Sequence, residues 1–176
     1  DQMAFERPLP RKELPNRKPP PADFRVAVIG AGMGGIAAGV KLDEAGYNFT
    51  LIEKNADFGG TWLENVYPGV AVDTPSHFYS YSFEQNPDWS SYYPKGAEIE
   101  RYLLGVAGKY GLRDKVIFNT RVLGCAWDEA KQLWRVTVSS RKLRTGLLAW
   151  HCMARNDEKS CVPTSSDAAA CMRAAS

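Results

Sequence analysis

A chain of 176 residues, 44% hydrophobic and 24% charged, has the size and composition of one soluble globular domain with a real core. A formal charge of +2, spread over scattered basic residues, argues against a surface built for nucleic acid or for an anionic membrane. The longest apolar run, Val26 to Val40, is too short to span a bilayer, carries five glycines and runs into Lys41, Asp43 and Glu44. No transmembrane segment is therefore expected. The first twenty residues are charged and proline-rich, with no apolar core of a signal peptide. The chain begins with Asp rather than Met, so a start upstream of this sequence is expected. Four cysteines at 125, 152, 161 and 171 show no CxxC spacing, and only two histidines accompany them. That predicts no metal site and no disulfide framework, and a cytoplasmic setting.

In chain order, residues 1–23 read as an extended proline-rich leader, because proline blocks helix and sheet ladders alike. "FRVAVIG", Phe24 to Gly30, is a short β-branched apolar run of the kind expected for a strand buried on both faces of a parallel sheet. Residues 33–45 suit a helix that stops at Gly46. "NFTLIEK" is a second strand, so the whole is one βαβ unit. From Asn55 to Lys95 regular patterning stops, and irregular stretches of this length inside a domain are commonly functional. A helix is predicted from about Gly96 to Tyr110, with Ile99, Tyr102, Leu103, Val106, Ala107 and Tyr110 on one face and Gly111 as its stop. "KVIFN" reads as a third parallel strand. "RVLGCAWDEAKQLWRVTV" reads as a hairpin turning at Asp128 to Lys131, with Trp127 and Trp134 as a cross-strand pair. Residues 140–176 read as an irregular tail, with one short apolar run at Leu147 to Trp150.

The chemistry is written first at Gly30, Gly32 and Gly35, a G-x-G-x-x-G set between a predicted strand and a predicted helix. The first glycine permits a tight turn, the second lets a pyrophosphate approach the backbone, and the third lets helix and sheet pack closely. The phosphates would sit at the helix N-terminus, where unpaired N–H groups favour negative charge. Glu53 closes the second strand eighteen residues after Gly35, where a carboxylate can accept ribose hydroxyls. It would also repel a 2′-phosphate, so the pattern points to FAD or NAD rather than NADP. The plainer reading, glycines for turn and packing and a solvated Glu53, stands beside it.

A second cluster, Gly59-Gly60, follows six residues after Glu53. The text from there, "GGTWLENVYPGVAVDTPSHFYSYSF", resembles the class B flavoprotein monooxygenases, and specifically the Baeyer–Villiger monooxygenases of the 4-hydroxyacetophenone type and their fungal secondary-metabolism relatives. The resemblance covers roughly Phe24 to Val138. It implies an α/β fold: a Rossmann-type FAD-binding domain of the glutathione-reductase kind over residues 24–139, with a parallel sheet plus the hairpin of a β-meander. It also implies an oxidoreductase that uses FAD, NADPH and O₂ to convert a small-molecule ketone to an ester or lactone. Carried over by position, Gly30, Gly32, Gly35 and Glu53 would hold the adenosine diphosphate part of FAD. Gly60, Thr61, Trp62, Leu63 and Glu64 would lead to the flavin ring, and Tyr79 would contact its side. Ala71, Val72 and Asp73 would lie near flavin and NADP, and the backbone of Val122 would meet the adenine. Many relatives carry an arginine where this chain has Ala71, which puts an ionic contact to NADP there in doubt. The duller readings are core packing for Trp62, Tyr81 and Phe83, and a hydrogen-bonded loop histidine for His77.

The resemblance stops near Ser139. Later family features, an "ATG"-like turn, an FxGxxxHxxxW fingerprint and a second Rossmann unit, do not occur in the sequence. The expectation is an N-terminal part with an incomplete meander and an exposed sheet edge, no nameable catalytic residue and no turnover by itself. Rival readings are an N- or S-oxygenating flavin monooxygenase and a non-catalytic FAD-binding fragment.

Overall fold

The computed structural model describes residues 23–140 and, as backbone, residues 146–150. The leader before Asp23 and the tail other than 146–150, with Cys152, Cys161 and Cys171, lie outside the described residues. The elements are β1 (Arg25–Ile29), α1 (Met33–Glu44), β2 (Asn48–Ile52), α2 (Thr61–Glu64), α3 (Gly96–Lys109), β3 (Val116–Ile117), β4 (Thr120–Asp128), β5 (Leu133–Ser140) and β6 (Gly146–Trp150). A 3₁₀ turn, Leu112–Lys115, precedes β3.

Strands β1, β2 and β3 form a parallel sheet in that order, with Arg25 opposite Asn48 and Ile29 opposite Ile52, then Ile52 opposite Ile117. Parallel neighbours need a crossover, which α1 supplies between β1 and β2. Side-chain alternation along the strands divides the core. Val26, Val28, Phe49 and Leu51 belong to the main cluster, with Ile36 and Val40 of α1 and Ile99, Leu103 and Val106 of α3. Ala27 and Ile52 belong to a second cluster with Val122, Val136 and Val138 of the β4–β5 hairpin. The parallel sheet therefore lies between a helical layer and a second sheet. Burial on both faces, expected for the first strand, holds only in part. Val26, Ala27 and Val28 are half-buried and Ile29 is 58% exposed, because β1 is the edge of the three strands.

Helix α1 stops where Gly46 enters the left-handed region at φ +76°. There the Tyr47 N–H reaches the Leu42 carbonyl at 2.9 Å and the Gly46 N–H reaches Asp43 at 3.0 Å. Helix α3 also runs into a left-handed glycine, Gly111 at φ +63°, whose N–H reaches the Gly108 carbonyl at 3.1 Å. Gly39 brings α1 close to its neighbours: a Cβ there would lie 3.2 Å from Leu112 and 3.3 Å from Phe49.

The tail reading needs correction at its start. Gly146–Trp150 is a strand, antiparallel to β5, with Val138 opposite Gly146 and Trp134 opposite Trp150. The second sheet is thus a complete three-stranded meander in the order β4-β5-β6, not a hairpin lacking its third strand. The run "GLLAW" is too short for periodicity to separate strand from irregular chain, and only pairing with β5 decides it. No helix among the described residues is long and apolar enough to cross a membrane.

Candidate functional site

The β1–α1 connection is built on bare backbone. Gly30 turns the chain at φ +93°, outside the range comfortable for a side chain, and its N–H bonds to the Ile52 carbonyl at 2.9 Å. At Gly35 a Cβ would stand 2.0 Å from the Gly30 carbonyl oxygen, so α1 starts directly against the turn. The N-cap, Gly32, offers no side-chain acceptor, and no acidic residue occupies the first turn. The N–H groups of Met33, Gly34 and Gly35 consequently have no acceptor among the described residues. Such a set of aligned donors, reinforced by the helix dipole, suits an anion.

The second glycine cluster packs onto the first. Gly60, at φ +55° and ψ −118°, lies so close that a Cβ on it would be 2.8 Å from the Gly32 Cα. The Gly59 N–H donates to the Ala31 carbonyl at 3.2 Å. Glu53 ties the same point from the other side. The residue is 3% exposed, with Oε2 accepting the Ala31 N–H at 2.6 Å and Oε1 accepting the Asn55 N–H at 2.8 Å. Ala31, fully buried between two conspicuous glycines, is thereby held at both its N–H and its carbonyl. Sequence reading passes over it, since an alanine in a fingerprint carries no chemical mark. The backbone of Glu53 is also engaged, its N–H to Ile117 at 2.9 Å and its carbonyl from the Thr120 N–H at 2.8 Å. Those bonds bring the start of β4 beside the end of β2.

The remaining predicted residues divide. Helix α2 follows Gly60 directly, with Thr61 and Glu64 exposed and Leu63 half-buried. Glu64 bonds to Lys54 Nζ at 2.8 Å and to Asn55 Nδ2 at 2.7 Å. The Lys54 ammonium, then the Asn55 amide, hold its carboxyl below the usual carboxylate value. Trp62 is buried, 8% exposed, its indole N–H donating to the Tyr79 hydroxyl at 3.1 Å, with the rings edge-to-face at 5.6 Å. Val72 is also buried, while Ala71 and Asp73 are exposed. That strip is bound to the entry of α3, with the Val72 N–H on Pro94 at 3.1 Å and the Gly96 N–H on Val70 at 3.0 Å. Ala71 pairs across an isolated bridge with Lys95. Val122 is half-buried on β4 beside Ile52, at a bulge that breaks the register before Gly124. Gly30, Gly32, Gly35, Glu53, Gly60 and the start of α2 therefore converge, with β4 adjacent. Two surface concavities, about 150 Å³ beside Arg25, Phe49 and Lys115 and about 260 Å³ beside Glu84, Val106 and Lys109, do not touch the glycine turn.

Residues 28–95, which run from β1 to the entry of α3, match the family described as "NAD(P)-binding Rossmann-like domain". The chain is 47% identical over 120 residues to "FAD-binding monooxygenase tazF" of Aspergillus terreus, and 42% identical over 123 residues to a "Baeyer-Villiger monooxygenase" of Pseudomonas aeruginosa. Over this segment the chain is similar to FAD-binding and Baeyer–Villiger monooxygenases. These matches take in 66% and 68% of the chain but 21% and 23% of the relatives, so the chain spans about a fifth to a quarter of their length. Among solved structures, "OTEMO complex with FAD and NADP" superposes with a TM-score of 0.65 at 30% identity, over 80% of this chain and 28% of that one. The Rossmann-type fold expected from the glycine pattern is the fold of that segment.

Proposed function

We propose that residues 24–139 bind FAD, with the pyrophosphate on the N-terminus of α1, and that they form the flavin-binding part of a Baeyer–Villiger monooxygenase acting on a ketone with NADPH and O₂. The observation that carries this reading is the joint made by Gly32, Gly60 and Ala31 beside three unpartnered N–H groups of α1. Bare backbone meets bare backbone there, and the space above Gly30 and Gly34 is open. Such a cradle fits a pyrophosphate that continues into a further group, and the name of the FAD-binding relative and the FAD-bound neighbour accord with FAD.

The chain's own residues would divide the work. Met33, Gly34 and Gly35 would donate N–H bonds to phosphate oxygens. Glu53 would accept a ribose hydroxyl on a remaining lone pair, its position set by the N–H groups of Ala31 and Asn55. A carboxylate there disfavours a ribose 2′-phosphate, which assigns FAD, not NADP, to this turn. The exposed start of α2 would guide the dinucleotide away from the ribose, and Trp62 and Tyr79 would hold α2 against α3 rather than line a pocket. Ala71 and Asp73 remain the residues proposed to approach NADP, and Val122 the one proposed to meet adenine. When bound, FAD would supply the redox chemistry between NADPH and O₂, and these residues would position it and keep water out.

Titrating FAD into the purified 176-residue chain tests the reading. Saturable quenching of flavin fluorescence, competed by ADP and not by NADP, is expected. Absence of saturable binding would overturn it.

A further inference from the structure

We propose that Tyr81 is a positioning residue for the phosphate-binding end of α1, held in place by α3 through the turn Tyr81 to Glu84. The inference rests on the reading of that helix end as the pyrophosphate site. It concerns the "YSYSF" string, whose alternating aromatics could as well be plain core.

The two tyrosines of the string go different ways. Tyr79 takes the indole of Trp62. Tyr81, 8% exposed, sends its hydroxyl to the Met33 carbonyl at 2.7 Å, a bond between residues 48 apart in sequence. Met33 is the first residue of α1, next to the glycine that meets Gly60. A carbonyl can only accept, so the phenol must donate. Burial raises the Tyr81 pKa well above its ordinary 10, which keeps that proton in place. The Tyr81 ring is fixed by stacking on Phe83 at 4.9 Å and 12°, and Phe83 in turn lies under Lys41 of α1 at 4.5 Å. The turn thus meets α1 twice, once at its first carbonyl and once two turns further on.

Helix α3 clamps the turn from behind. The Glu84 N–H closes it on the Tyr81 carbonyl at 3.1 Å. The Tyr81 N–H donates to the Tyr102 hydroxyl at 2.8 Å, which donates to the Glu84 carbonyl at 2.5 Å. The Glu84 side chain, 8% exposed as a residue, takes Lys109 Nζ on both oxygens at 2.8 Å and the Tyr110 hydroxyl at 3.2 Å. Tyr102, Lys109 and Tyr110 stand seven and eight residues apart, on one face of α3. A buried carboxylate so satisfied cannot shift without leaving a charge uncompensated. The turn is therefore held on both sides, and its one hydrogen bond to the first residue of α1 is the Tyr81 hydroxyl.

Packing alone would need the rings and not the hydroxyl, so Tyr81→Phe separates the two roles. The ring contacts persist, and Met33 keeps its carbonyl bond within the helix. In the 176-residue chain, Tyr81→Phe should weaken FAD and ADP binding about threefold to tenfold, the size of one net hydrogen bond. Adenosine, which lacks the pyrophosphate, should bind as in the parent chain. Amide hydrogen exchange of the ligand-free protein should accelerate at residues 32–36 and not across the domain, as local loosening requires. Glu84→Gln, which keeps the shape and one acceptor for Lys109, should move both readouts in the same direction by less. Parent-like FAD and ADP affinity in Tyr81→Phe overturns the proposal, as does exchange that accelerates evenly everywhere. A parent chain that binds neither FAD nor ADP refutes the pyrophosphate reading first and this one with it, whereas a binding parent with an indifferent Tyr81→Phe refutes this one alone.

Discussion

Neighbouring glycines in α1 should respond to the same substitution with opposite signs. At Gly35 an added methyl carbon would stand 2.0 Å from the Gly30 carbonyl oxygen and 2.9 Å from its carbon, where real contacts stay above 3.0 Å. At least one ångström of movement is needed, and the obstacle is backbone pinned to Ile52 at 2.9 Å, not a flexible side chain. Overpacking of this kind costs about 1–3 kcal/mol, and a rigid obstacle puts Gly35→Ala at the upper end, about 3 kcal/mol. For a domain of this size that lowers the melting temperature by roughly 10 °C. At Gly34, one residue earlier in the same helix turn, a Cβ would meet nothing within 4 Å. Gly34→Ala should therefore stabilise the helix by about 0.5–1 kcal/mol through reduced backbone entropy of the unfolded chain. Gly39→Ala should fall between, because its obstacles at 3.2–3.4 Å are the side-chain ends of Leu112 and Phe49. Thermal unfolding of the three variants, with FAD titration alongside, measures the series. Equal melting of Gly35→Ala and Gly34→Ala would refute the close approach of α1 to the turn.

Further expectations concern the joints around that turn. Glu53→Gln places an amide NH₂ against one of two backbone donors, Ala31 or Asn55, and should cost about 1–3 kcal/mol in urea unfolding along with weakened FAD binding; unchanged stability would show that the carboxylate is not clasping the turn. Arg113 bonds Asp57 at 2.8 Å and stands over the rings of Phe58 at 5.6 Å and Phe118 at 5.7 Å, just before the second glycine cluster. Being exposed, the pair and the ring contacts together should be worth about 1 kcal/mol, read as a loss of a few degrees on Arg113→Ala, with Arg113→Lys recovering part of it. Glu64 is lowered chiefly by Lys54, so its folded-state pKa lies below the unfolded one. Its contribution is present above the usual value of 4.5 and is lost as pH falls through the depressed folded value. The direct check is a side-chain NMR titration, where Lys54→Met should raise the Glu64 midpoint; an unmoved midpoint would exclude the pair in solution.

Much of the candidate site can be read along the chain because its parts are local. Gly30, Gly32 and Gly35 fall within one turn, and glycine is the residue that a positive φ or a 2.0 Å approach demands, so backbone geometry leaves its mark directly in composition. Glu53 ends a strand whose partner is set by the same βαβ unit. The helices at 33–44 and 96–109 follow from apolar spacing and glycine stops in much the same way. What a linear pattern does not carry is which distant pieces meet. Nothing about Gly59 and Gly60 in isolation says that they press on Gly32, and nothing about Ala31 says that it joins both clusters to Glu53. Trp62 and Tyr79 look like ligand residues by type, and only the fold shows that the buried indole of the one bonds the half-buried hydroxyl of the other. Tyr81 looks like core, yet its hydroxyl reaches the first carbonyl of α1. The run at Gly146–Trp150 becomes a strand only because β5 has an edge to offer. Sequence by itself determines where the backbone must be bare and where a charge must end a strand, since those are properties of single residues. Tertiary structure alone decides contacts, because hydrogen-bond partners and burial depend on the whole chain's path.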